Sequence, residues 1–294
     1  MAAMPCAKQA NRRSIASSLV AVALTLGLGL AGAGAATRNA SSSPSVLPPA
    51  PLPDAQHYDR CLEMAHGDPQ KAYDDAESWR AIGGGFPAQH CAAVALVGLK
   101  KYNEAATRFA TLANAMMNAG PEMRGGALEQ AGQAWLLAGK PTEAKAAFDA
   151  ALGFKPKDPE LLIDRAEAYA LGGKYFEAID DLNGVLDQTP NRVDALVYRA
   201  SAYRRLGSLD LASDDIDRAL RLDPYSVPGL LERGNLRRLK SDDAGAKADW
   251  QQVLKLGAGT PAAASAQANL AQLAAQPPAG PSQPAAPAAK PGKP

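Results

Sequence analysis

Apolar and polar positions in the middle of this chain repeat on two scales. Locally, apolar residues return every three or four positions, the spacing of one face of a helix. Over a longer interval the whole arrangement returns after 34 residues. "KYFEAIDDLNGVLDQTPN" (174–191) and "SLDLASDDIDRALRLDPY" (208–225) place Ala, Asp-Asp, an apolar pair and Pro in the same slots. From Gly125 the chain divides without gaps into four such blocks, 125–158, 159–192, 193–226 and 227–260. Slot four carries Leu128, Leu162, Leu196 and Leu230, and slot eight the small residues Gly132, Ala166, Ala200 and Gly234. Slot eleven carries Trp135, Tyr169, Tyr203 and a deviating Arg237, and slot twenty carries Ala144, Ala178, Ala212 and Ala246. Slot twenty-four holds Phe148, Leu182, Ile216 and Trp250; slot thirty-two holds Pro156, Pro190, Pro224 and a deviating Ala258.

Each slot has a physical reason. Large apolar residues at four, eleven and twenty-four give each of two helices one buried face. Small residues at eight and twenty let two antiparallel helices approach closely. Gly139, Gly173 and Gly207 at slot fifteen supply the turn between them. Proline near the end of the block stops the second helix. One such pair cannot bury its own apolar face, so neighbours must stack, and the pattern predicts a helical solenoid.

These slots resemble the tetratricopeptide repeat (TPR) family, whose large–small–aromatic, glycine, alanine, aromatic, alanine, proline pattern they reproduce. The resemblance is most complete over 125–226. A diverged block covers 86–119, where Ala93, Leu96, Tyr102, Ala105 and Phe109 fit, and "NAGPEM" (118–123) breaks the register after it. A partial pair occupies 57–84, so diverged repeats fill 57–119, and 261–276 reads as a C-terminal capping helix. The fold class implied is all-α, a right-handed α-solenoid of stacked helix-turn-helix repeats with that cap.

The flanks differ in kind. Lys8, Arg12 and Arg13 precede the apolar run "LVAVALTLGLGL" (19–30) and the small residues "AGAGAA". This is the layout of a secretory signal over 1–36, with cleavage near Ala35 or Ala36. An uncleaved anchor is the other reading, because 15–36 carries no charge. Its many Gly and Ala favour the first. Proline- and serine-rich 37–56 reads as a disordered linker and proline- and alanine-rich 277–294 as a flexible tail. The expected location is periplasmic or secreted.

Export changes how the cysteines read. Cleavage would leave Cys61 and Cys91, and an even count in an oxidising compartment makes one disulfide the default. A metal site with His57, His66 and His90, or two free thiols, are the rivals, and the spacing matches no zinc pattern. By the resemblance, each cysteine falls on the first helix of a consecutive pair, where a disulfide would staple the least regular end.

Charge adds two candidate sets. The net charge of +1 on 294 residues predicts no bulk attraction to nucleic acid, and membrane contact only through an uncleaved N-terminal segment. Arg165, Arg199 and Arg233 stand at slot seven, with Asp181, Asp215 and Asp249 at slot twenty-three. They read as structural ion pairs between helices, or as an anion-binding strip. The resemblance further implies a concave groove lined by slots two, five, six, nine, twelve and thirteen. In the last two blocks these give Tyr198, Ser201, Arg204, Arg205, Glu232, Asn235 and Arg238, a set suited to an extended or acidic segment, or else a solvated polar face. Slot two holds Asp194 and Pro228, which departs from the carboxylate clamp of chaperone-tail-binding members.

No phosphate loop, nucleophile elbow or carboxylate dyad occurs, so no residue is nominated for catalysis and no cofactor is expected. The function expected is a non-enzymatic protein- or peptide-binding scaffold of the cell envelope. An envelope assembly factor or chaperone, or an auxiliary subunit of an envelope enzyme complex, are the alternatives.

Overall fold

In the computed structural model of the chain, described over residues 54–118 and 120–275, the 34-residue period resolves into helix pairs. Thirteen helices, and no strand, occur among the described residues. They fall into two compact units that divide between Pro190 and Asn191. The N-terminal unit holds α1 (Asp54–Gly67), α2 (Pro69–Ala81), α3 (Gly85–Gly98) and α4 (Tyr102–Ala115). It continues with α5 (Pro121–Leu137), α6 (Pro141–Leu152), α7 (Pro159–Leu171) and α8 (Tyr175–Gln188). The C-terminal unit holds α9 (Val193–Arg205), α10 (Leu209–Leu222), α11 (Val227–Leu239), α12 (Asp243–Leu256) and α13 (Pro261–Ala274). None of these helices is long and apolar enough to cross a membrane.

The turn between the two helices of a pair is set by one residue in the left-handed region. Gly139, Gly173 and Gly207 have φ of 72°, 75° and 80°. The same slot is Lys100 (φ 60°) between α3 and α4 and Ser241 (φ 64°) between α11 and α12, so the conformation persists where the glycine does not. Left-handed backbone costs little for glycine and more for a residue with a Cβ, so these two turns are imposed by the packing of their helices.

Close approach is carried by the small slots. Ala144, Ala200, Ala212 and Ala246 are fully buried, and Ala166 and Ala178 nearly so. Leu196 at slot four and Phe148, Leu182 and Ile216 at slot twenty-four are among the largest fully buried side chains. The two slots that face each other, eight and twenty-four, are matched in volume. A Cβ on Gly132 would come within 2.5 Å of the Phe148 ring, and one on Gly234 within 2.5 Å of the Trp250 ring. Where slot eight is Ala166 or Ala200, slot twenty-four is the smaller Leu182 or Ile216. In the four blocks from Gly125 the aromatics at slot twenty-four stand opposite glycine, whereas the diverged block packs Phe109 opposite Ala93.

Three expected boundaries move. The first helix starts at Asp54, inside the stretch read as linker; Asp54 places a carboxylate in the first turn, where it favours the positive end of the helix. "NAGPEM" breaks the 34-residue register, and the helix of the next block starts inside it: Pro121, Glu122 and Met123 form the first turn of the 17-residue α5, with proline at a position that suits it. The α6 helix ends at Leu152, four residues short of Pro156, where Gly153 caps it. Helices α8 and α10 end two residues before Pro190 and Pro224. Most of the expected linker, the signal segment and the tail lie outside the described residues.

Candidate functional site

The cysteines come together first. Cys61 on α1 and Cys91 on α3 form a disulfide with Cα atoms 6.2 Å apart, and both are fully buried. Two of the nearby histidines are engaged with organic partners. His57 Nε2 lies 2.7 Å from Asp75 Oδ2, and its ring stacks on Trp79 at 4.2 Å. His90 Nδ1 meets the Tyr58 hydroxyl at 2.8 Å, and its Nε2 meets Gln130 Oε1 at 2.7 Å. Because Gln130 Oε1 can only accept, His90 carries its proton on Nε2, and Tyr58 donates to Nδ1. Burial holds the His90 ring below the usual histidine pKa, and the Gln130 bond offsets part of this. Burial, with the charge of Asp59, pushes the Tyr58 phenol up. Among the described residues no group of three or more His, Cys, Asp or Glu could hold a metal ion.

The slot-seven and slot-twenty-three charges also meet. Arg165 on α7 donates through Nε and Nη2 to Asp181 on α8 at 2.8 and 2.6 Å, and through Nη1 to Asp149 on α6 at 2.9 Å. Arg199 on α9 forks onto Asp215 on α10 at 2.8 and 2.7 Å. Arg233 on α11 forks onto Asp249 on α12 at 3.0 and 2.7 Å. Asp181, Asp215 and Asp249 are buried. The slot-eleven aromatics complete the arrangement: Arg165 sits 5.8 Å over the Tyr169 ring and Arg199 5.9 Å over the Tyr203 ring. The deviant Arg237 finds its reason here, donating to Asp249 at 2.9 Å as a second guanidinium on one carboxylate. Hydrogen bonds to Asp181 first, then to Asp149, hold the Arg165 pKa far above the ordinary arginine value. With both prongs of each fork occupied, the carboxylate-facing side of these arginines is committed to the fold.

The groove residues divide differently from their charge count. Arg204 on α9 pairs through Nε and Nη2 with Glu232 on α11, whose residue is only 6% exposed. Asn235 Nδ2 donates to the same carboxylate at 3.3 Å. Asn235 Oδ1 accepts from Trp250 Nε1 at 3.3 Å and from Asn269 Nδ2 on α13 at 2.9 Å. Arg204, Glu232 and Asn235 thus form one network that reaches the capping helix. Arg238 pairs with the exposed Asp243 at 2.9 Å, a surface pair worth little. Tyr198 and Ser201 are partly buried on α9, and Arg205 is exposed at its end. The sequence count of three groove arginines therefore overstates the charge on offer, because a buried glutamate from the next repeat neutralises Arg204. That pairing joins residues 28 apart on two first helices, and no single-helix pattern displays it.

A family model described as tetratricopeptide repeat matches residues 136–202, and a second with that description matches 92–159. A chain of the APC/C hetero-tetramer Cut9-Hcn1 is 19% identical with a TM-score of 0.51, the match covering 74% of this chain and 42% of that one. This chain thus spans less than half the length of that relative. TTC0263, a thermophilic TPR protein of Thermus thermophilus, is 18% identical with a TM-score of 0.51, over 65% of this chain and 99% of that one. At these identities the likeness is one of fold. No curated protein matches the chain.

Proposed function

We propose, from the premise that the chain belongs to the tetratricopeptide-repeat family, that it is an exported, non-enzymatic scaffold of the cell envelope. It holds an extended acidic segment of a partner protein against the first-helix face of α9 and α11. Proteins of this repeat family act as protein- and peptide-binding scaffolds. What supports the finer reading is that Tyr198, Arg204, Arg205 and Arg238 occupy the slots that the family resemblance assigns to the groove. Arginine forks suit carboxylates, and a tyrosine beside them adds rigid contact area. Export rests on the charged, apolar and small-residue layout of 1–36, which sequencing the N-terminus of protein recovered from the envelope tests.

The binding test uses Arg205→Glu/Arg238→Glu, which leaves the Arg204–Glu232 network intact. Fluorescence anisotropy with a labelled acidic dodecapeptide should show affinity falling at least about tenfold, with a weaker dependence on salt. Equal binding by the folded variant and the wild type would remove this face from consideration.

A further inference from the structure

We infer that Glu232 is the specificity-determining residue of this face: a built-in carboxylate that occupies Arg204 and biases the face toward segments with sparse acidic side chains, against contiguous acidic runs. This rests on the reading of the α9–α11 face as the binding surface. Glu232 sits in a groove slot yet is buried, and both its oxygens are used: Oε1 accepts from Arg204 Nε, and Oε2 accepts from Arg204 Nη2 and Asn235 Nδ2. The pair consumes two of the five guanidinium N–H groups of Arg204, and the rest remain for a ligand oxygen. The fork also fixes the plane of the guanidinium before any ligand arrives.

A ligand carboxylate that reaches Arg204 therefore meets a second negative charge within one side chain's length. A single acid on this face can stand clear of Glu232; a run of acids cannot. Glu232 cannot turn away to relieve it, because Asn235 anchors its far oxygen and is itself held by Trp250 and Asn269. The same glutamate on an exposed face would swing clear and be screened. Here the network holds the carboxylate in one place beside Arg204.

Anisotropy with two labelled dodecapeptides tests this, one of twelve glutamates and one with three glutamates spaced by Gly-Ser-Ser. Wild type should favour the spaced peptide. Glu232→Gln, which keeps the side chain's size and shape, should strengthen binding of the contiguous peptide about tenfold and steepen its salt dependence. Arg204→Gln/Glu232→Gln should erase that gain, which separates charge from shape, and a melting curve on each variant checks the fold. If the wild type binds and Glu232→Gln leaves the preference between peptides unchanged, Glu232 is a structural counter-ion and the inference fails alone. If the wild type binds neither peptide while Glu232→Gln captures the contiguous one, the proposed function fails and the role of Glu232 stands. If nothing binds to either protein, both fail.

Discussion

The α5–α6 and α9–α10 pairs fill the same slots with opposite chemistry. In α9–α10, slots seven and twenty-three are Arg199 and Asp215, joined by a two-bond fork, with Ala200 and Ile216 at slots eight and twenty-four. In α5–α6 the same four slots are Ala131 and Ala147, then Gly132 and Phe148. Ala131 is fully buried and Ala147 nearly so, and Phe148 lies over the bare backbone of Gly132. A buried ion pair loses solvation that its attraction only partly returns, whereas small apolar side chains carry no such penalty. The comparison teaches that the repeat geometry does not need the ion pair. What the charged version adds is direction: a fork fits in one register, while two alanines slide past each other without penalty.

Breaking the fork should give the largest effect. Asp215→Ala removes both fork acceptors from the mostly enclosed Arg199, and should cost about 3 kcal/mol in urea denaturation. Arg199→Ala/Asp215→Ala rebuilds the α5–α6 solution and should cost less than the single change. A double variant that is as damaged as the sum of its singles would mean the pair is a net stabiliser, and that alanine fills slot seven only in its own context.

The converse experiment acts on α5–α6. Gly132→Ala puts a methyl group 2.5 Å from the Phe148 ring, and overpacking of this kind costs about 2 kcal/mol. Adding Phe148→Leu recreates the combination at Ala166 and Leu182, and should recover most of the loss. Failure to recover would show that the aromatic has partners beyond slot eight that leucine does not reach.

Much of this was legible in one dimension. The period, the small slots and the left-handed turn follow from residue type at fixed spacing, since each constrains its own helix pair. The Arg–Asp pairing was legible because both members recur, 16 apart, in three blocks. Lys100 and Ser241 hid two of the turns, because neither residue type signals positive φ. Pairings made once and between repeats were not legible. Arg204–Glu232 and His90–Gln130 each join two first helices, and no recurrence marks them. The three groove arginines stand out in the sequence, but their partners do not: Glu232 matches Arg204 and Asp243 matches Arg238.

The smallest effect distinguishes the two regions by pH. The α5 helix is tied through Gln130 to His90, a partly buried histidine held neutral by its surroundings; the faces packed around it supply Tyr58, Phe109 and Gln130. Its folded pKa lies below the unfolded value of about 6.5, so the unfolded chain binds the proton more readily. The contribution to stability is complete above that unfolded value. It declines as pH falls from there toward the folded pKa, by no more than about 1.4 kcal/mol per pH unit. Below the folded value, where both states are protonated, the decline from this group stops. Melting temperatures taken from pH 7.5 down to 5 should fall, and His90→Gln should flatten that slope while lowering the pH 7.5 value through loss of the Tyr58 bond. The α9–α10 pair contains no histidine, so hydrogen exchange resolved by segment should show the acid-induced opening in α1, α3 and α5 before α9 and α10. Simultaneous opening would place the acid sensitivity in the carboxylates that both regions share, and the contrast between the two regions would then lie in their packing alone.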